Sequence, residues 1–245
     1  MMPNRFDNKI ILVTGGNSGI GLAAARRLLA EGARVIITGR NRQTLDRAAS
    51  ELGKNAQAVA ADISRLPEID ALYEQIKEIY GRLDGIFANA GFAPTVPIEK
   101  VTEADFDAVF DANVKGTFFT VQKAIALLSK GAAIVLNASV AGIKGTPQFG
   151  VYGATKAAVR CLARGLSAAL VERGIRVNAV SPGPIETPIF DGMDAKMIEA
   201  FKEANPSKRF GRPEEIAAAV AYLLAEESAY VVGAELFVDG GMTQL

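Results

Sequence analysis

Tyr152 and Lys156 stand four residues apart in Tyr152-Gly153-Ala154-Thr155-Lys156, within a segment of helical periodicity. Four residues of helix turn about 400° and rise about 6 Å, so both side chains leave the same face and can meet. A phenol is a weak acid or base near neutrality, but an adjacent ammonium stabilises the phenolate and draws its pKa toward the working range. The pair could therefore handle protons as a general acid and base. By itself the spacing fits equally a tyrosine beside a solvated lysine. Ser139 follows the strand-like run Ile134-Val135-Leu136-Asn137-Ala138, and its hydroxyl could hold a substrate oxygen against Tyr152. An ordinary loop or capping serine is the alternative there.

A second chemical signal lies near the start, where Thr14-Gly15-Gly16-Asn17-Ser18-Gly19-Ile20-Gly21 joins a strand to a helix. Glycines permit a tight turn and close backbone approach, and the free N–H groups and positive dipole end of the helix favour a pyrophosphate. The spacing Gly15-x3-Gly19-x-Gly21 differs by a residue from the common G-x-G-x-x-G, which narrows the kind of dinucleotide site it marks. At the end of the second strand, a carboxylate would hold ribose hydroxyls and a guanidinium would accept a 2′-phosphate. Here stands Thr38-Gly39-Arg40-Asn41-Arg42, with no carboxylate before Asp46. NADP(H) is therefore expected in preference to NAD(H), with Arg40 as the main contact. Ser18 supplies no second cation.

Strands are predicted at residues 9–13, 34–38, 56–60, 85–88, 133–137, 176–180 and 234–238, from short β-branched runs. Between them, residues 20–30, 65–80, 106–128, 152–173 and 213–225 carry apolar residues at helical spacing. Such alternation predicts an α/β fold: one doubly wound, Rossmann-type domain over residues 1–245, a seven-stranded parallel sheet with helices on both faces. Residues 181–212 hold Pro182, Pro184, Pro188 and Pro206 and are expected to form a substrate-covering loop region with one or two short helices. Ligands of such folds bind at the carboxyl edge of the sheet.

Histidine is absent and Cys161 is the one cysteine, which removes Ser-His and Cys-His nucleophiles, most metal chemistry and any intrachain disulfide. Basic and acidic residues balance at 27 each, leaving no field to collect nucleic acid. No apolar run precedes the first strand and none approaches membrane-spanning length, so a cytoplasmic protein with no membrane partner is expected.

Together these residues resemble the short-chain dehydrogenase/reductase family over essentially the whole chain. The family's cofactor turn is matched by Thr14, Gly15, Gly19 and Gly21, its Asn-Ala-Gly after the fourth strand by Asn89, Ala90 and Gly91, and its adenine-contacting aspartate by Asp62, beside Ile63. Pro182, Gly183, Ile185 and Thr187 resemble the segment that holds the nicotinamide carboxamide. Asn17, Ser18 and Ile20 of the turn are expected among the cofactor contacts. The resemblance implies a catalytic set of Asn113, Ser139, Tyr152 and Lys156. Tyr152 would pass a proton to a carbonyl oxygen as hydride arrives, and Ser139 would orient that oxygen. Lys156 would also bind the nicotinamide ribose, and Asn113 would hold a proton-relaying water. An asparagine inside a helix is otherwise only a local irregularity.

Family members are typically tetramers or dimers. Ala157, Val159, Leu162, Leu166, Ala169 and Leu170 spread apolar surface over more than one face of their helix, so a homo-oligomer is expected, a tetramer ahead of a dimer. The expected partner is a small carbonyl or alcohol substrate, reduced as a ketone or 3-oxoacyl group. An NAD-dependent alcohol, sugar or steroid dehydrogenase is the alternative within the fold, and a non-catalytic nucleotide-sensing protein the alternative outside it. The substrate pocket is expected between residues 141–149, 92–97 and 181–212, where Ile143, Phe149, Ile189, Phe190 and Met193 suggest a mainly apolar substrate, with Glu186 and Lys144 available to a polar tail.

Overall fold

Strand β1 (Ile10–Thr14) is buried along its length, with Ile10 and Leu12 in one core cluster and Ile11 and Val13 in another. Successive strand side chains leave opposite faces, so a strand of this kind needs cover on both sides. The computed structural model, which describes residues 4–147, 149–192 and 194–245 and only the backbone of Ile189, supplies that cover. Met193 and the Ile189 side chain, both expected at the substrate pocket, lie outside the described residues. Strands β2 (Arg34–Gly39), β3 (Ala56–Ala60), β4 (Leu83–Ala88), β5 (Leu128–Asn137), β6 (Arg176–Pro182) and β7 (Glu235–Val238) complete a single domain's sheet. All are parallel, in the order β3-β2-β1-β4-β5-β6-β7.

Helices α1 (Gly19–Ala30), α2 (Arg42–Leu52) and α8 (Pro213–Leu224) cover one face through Leu28, Leu45 and Val220. The opposite face is covered by α3 (Leu66–Tyr80), α5 (Thr117–Ala124) and α6 (Gly150–Leu170), through Leu72, Val121 and Val159. The seven expected strands all form, with β2, β4, β5 and β6 longer than predicted.

The expected continuous helix over 106–128 is instead three pieces. It begins earlier, at α4 (Glu103–Phe110), because Thr102 and Asp105 form a reciprocal capping box. It passes through a π turn at Asp111–Gly116 and ends at Ala124, so Leu128 opens β5. At Gly116 a Cβ would stand 2.7 Å from the Ile63 carbonyl oxygen, so the turn is pressed against the loop that follows β3. Helix α2 was not among the predicted elements. Its apolar Leu45, Ala48, Ala49 and Leu52 do stand at helical spacing, and the signal went unread in a segment otherwise polar, with only Leu45 and Ala48 buried. Residues 181–212 contain a 3₁₀ turn at Pro188–Phe190 and α7 (Ala195–Ala204), tied at the base where Gly211 donates to the Pro184 carbonyl and Glu186 to the Gly211 carbonyl, both 2.9 Å.

Candidate active site

Neighbouring strands β1 and β4 send their following connections to opposite faces, so a crevice opens between their carboxyl ends. Thr14 and Asn89 fix its floor. The Thr14 hydroxyl accepts from the backbone N–H groups of Asn89 and Ala90, each 2.9 Å, and the Asn89 amide donates back to the Thr14 carbonyl at 2.9 Å. Above it the glycine turn is held by two residues at positive φ, Gly15 (64°) and Gly19 (50°). A Cβ on Gly21 would overlap the Gly15 carbonyl oxygen and stand 2.7 Å from Asn89 Nδ2. Ser18 is the N-cap of α1 but makes no side-chain capping bond, leaving the first helical N–H groups available to an anion.

The resulting cleft holds about 410 Å³ and is lined by Gly15, Asn17, Ser18, Gly19, Ile20, Arg40, Asp62, Ile63, Asn89, Ala90, Gly91, Tyr152, Lys156 and Thr187 of the predicted set. The Thr38 hydroxyl and Asn137 Oδ1, on two lining residues, are buried and able to accept, with no partner among the described residues. A polar, glycine-floored cleft with unpartnered acceptors fits a dinucleotide. Arg40 is exposed at its far end, and no hydrogen bond or ion pair to another described residue is seen for it. Arg42, by contrast, is paired with Asp46 at 2.9 Å.

At the near end, Lys156 is buried and its ammonium donates to the Asn137 carbonyl at 2.6 Å. Burial pulls its pKa down to about 8. The ammonium lies 5.5 Å from the centre of the Tyr152 ring. Burial pushes the Tyr152 phenol up, and a hydrogen bond with Ser139 acts against that rise. The direction is opposite to the one expected from the lysine, because desolvation of the phenolate outweighs the Ser139 hydrogen bond. Ser139 caps the 3₁₀ turn Val140–Gly142, accepting from Ala141 N at 3.1 Å.

Asn113 is buried in the π turn. Its Oδ1 accepts from Phe92 N, and its Nδ2 donates to the Phe92 carbonyl and to Thr155 Oγ1, at 3.0, 3.0 and 3.1 Å. Gly91 separates it from the lysine: a Cβ there would stand 2.6 Å from Asn113 Oδ1 and 3.9 Å from Lys156 Nζ.

Not every predicted residue reaches the cleft wall. Gly21 is inside α1, and Ile185 is buried in the core beside Ile216. Pro182 ends β6, and Gly183 is pressed on Asp239, where a Cβ would come within 2.8 Å of its Cα. Asn113 is buried and does not line the cleft, and Ser139, partly exposed, reaches it only through its hydrogen bond with Tyr152. Sequence reasoning missed Thr38, Gly39, Asn41, Ala61, Ala112 and Asn137, and placed Phe92 and Pro188 only in segments expected around the substrate; all eight line the cleft. The signal for most was their place at strand ends. Thr155, whose hydroxyl bridges the Tyr152 carbonyl (2.6 Å) and the Asn113 amide, sat unread between two residues that were singled out.

Residues 15–243 match a family model described as enoyl-(acyl carrier protein) reductase. The chain is 42% identical over 244 residues to the oxidoreductase asL5 of Sarocladium schorii, covering 98% of each. It is 34% identical to the NADP-dependent (R)-specific alcohol dehydrogenase of Lentilactobacillus kefiri, covering 99% of each. The crystal structure of a 3-ketoacyl-(acyl-carrier-protein) reductase from Brucella melitensis complexed with NADH superimposes with a TM-score of 0.92 at 32% identity, over 97% of this chain and 99% of that one.

Proposed function

This chain belongs to the short-chain dehydrogenase/reductase family, oxidoreductases acting on carbonyl and alcohol groups, and on that premise we propose that it is an NADP(H)-dependent reductase of ketones or 3-oxoacyl groups. The observation that carries the reading is the pair Tyr152 and Lys156, on consecutive turns of α6, lining one end of a cleft whose other end carries a free guanidinium. When bound, the nicotinamide supplies the two electrons of the reduction as hydride. The protein's own residues do the rest. Tyr152 donates its phenolic proton to the carbonyl oxygen, Ser139 holds that oxygen, and Lys156 stabilises the phenolate left behind. Asn113 holds the Phe92 backbone, and so the Gly91 spacer, beside the lysine.

Gly15, Asn17, Ser18, Gly19, Ile20 and Gly21 would hold the pyrophosphate, Asp62 and Ile63 the adenine, Arg40 the 2′-phosphate, and Thr187 with the segment from Pro182 through Gly183 to Ile185 the carboxamide. Residues 181–212 would cover the substrate. The reading includes a tetrameric, cytoplasmic protein; no helix among the described residues is long and apolar enough to cross a membrane. The NADH complex of the Brucella relative favours NAD(H) use as a second reading.

The test is oxidation of NADPH and of NADH with a panel of β-keto esters and aryl ketones, using wild type, Arg40→Ala and Tyr152→Phe. Turnover with NADPH that Tyr152→Phe abolishes supports the reading. Equal use of both cofactors, unmoved by Arg40→Ala, overturns the NADP assignment, and the absence of any turnover above the Tyr152→Phe background overturns the reductase.

A further inference from the structure

Tyr152 lines not one cavity but two. The second, about 480 Å³, lies between the start of α4, the start of α6 and the loop before them, with apolar walls at Val96, Val101 and Val109. Its size falls within the range of small-molecule pockets. Its charged lining residues are Glu99 and Asp105, and among the described residues neither lysine nor arginine lines it. Asp105 is locked in place as the acceptor of both the Thr102 N–H (3.0 Å) and the Thr102 hydroxyl (2.7 Å). Those bonds, the hydroxyl's first, hold its carboxyl below the usual range, so it stays an anion at any physiological pH. Glu99 is exposed at the 3₁₀ turn Ile98–Lys100.

We infer that this second cavity receives the body of the substrate whose oxygen meets Tyr152, and that its acidic wall selects apolar ketones that are neutral or cationic over those bearing a carboxylate or phosphate. The inference rests on Tyr152 being the proton donor. An anion entering an apolar cavity loses hydration, and the carboxylates of Asp105 and Glu99, with no cation lining the cavity among the described residues, return none of that energy. A neutral chain gains from burial on the valines, and an ammonium finds two partners.

The test compares benzylacetone with its para-carboxy and para-aminomethyl derivatives, as kcat/KM with NADPH and as binding by calorimetry. Wild type should favour the neutral and ammonium ketones over the carboxylate by about tenfold, and Glu99→Lys should raise the carboxylate-to-neutral ratio about fivefold, with Glu99→Gln between. Binding of the same three ketones to Tyr152→Phe, which lacks the proton donor, should keep the order. A carboxylate ketone handled as well as the neutral one, a ratio unmoved by Glu99→Lys, or no binding of any of the three overturns the inference. Ordered binding without turnover in wild type would leave the cavity's selectivity standing and overturn the reductase reading instead.

Discussion

Lys156 is a cation that the fold has stripped of water and given a backbone carbonyl in exchange. With its pKa lowered from 10.5 to about 8, the folded state binds fewer protons than the unfolded state between those values, so the lysine's contribution to stability rises with pH across that window. Below it the buried charge is a standing cost. Lys156→Met should therefore melt higher, relative to wild type, at pH 7 than at pH 10, measured by calorimetry at both. The same titration bears on activity. Loss of the ammonium above pH 8 removes the phenolate's partner, so ketone reduction should hold level below about pH 8 and decline above it. Tyr152→Phe removes the proton and should lower kcat by about 10²- to 10⁴-fold, while NADPH binding, read by fluorescence, persists. At the far end of the cleft Arg40→Ala should raise KM for NADPH about tenfold or more, the worth of a charge-assisted hydrogen bond, with little effect on NADH.

The elements around these residues are locked by close contacts more than by propensity. Gly21 lies inside helix α1, where an alanine would normally be an improvement. Here its Cβ would collide with the Gly15 carbonyl, which is backbone and cannot turn aside. Gly21→Ala should then cost at least about 2 kcal/mol by denaturant unfolding and abolish NADPH binding. A control is Gly53→Ala: Gly53 has positive φ, 85°, but nothing within 4 Å of a Cβ, so it should lose about 1 kcal/mol and bind normally. The π turn is the other such element. Asn113 could be read as a misfit in a helix because asparagine competes for backbone hydrogen bonds. The turn gives that competition a use, since the amide clasps the backbone N–H and carbonyl of Phe92, in the loop that follows β4. Its partner Thr155 carried no signal, because a buried threonine in a helix reads as packing.

At the scale of the molecule, the described surface exposes Phe106 (45%), Tyr222 (40%) and Tyr230 (103%), and Phe106 stacks on Phe110 at the outer side of α4. The apolar spread of α6 divides: Val159, Leu166 and Leu170 face the core, while Ala157 and Ala169 are exposed. Small residues on a long helix allow close approach of another copy, and exposed aromatics are enriched where proteins meet. Light scattering at micromolar concentration should report a tetramer, and Phe106→Glu should shift it to a smaller species. A monomeric wild type would remove assembly from the reading.

What the order of residues determined by itself was the alternation that makes a seven-stranded parallel sheet, and with it the edge where chemistry can occur. Those features were legible because periodicity, glycine placement and the Tyr152–Lys156 spacing are local, and local pattern survives in one dimension. Proton affinities were not legible, since desolvation depends on what packs around a group, and burial reversed the shift expected for Tyr152. Nor was the break of the predicted 106–128 helix, because the π turn answers to Phe92 and Ile63, which reach it only through the fold. The second cavity behind Tyr152, with Glu99 and Asp105 on its wall, exists only where α4 and α6 meet. The sequence placed Pro94, Val96, Pro97, Thr146 and Pro147 in segments expected around a substrate, and tertiary structure decided that Glu99 and Asp105 share a wall with them, because no stretch of sequence contains both sides.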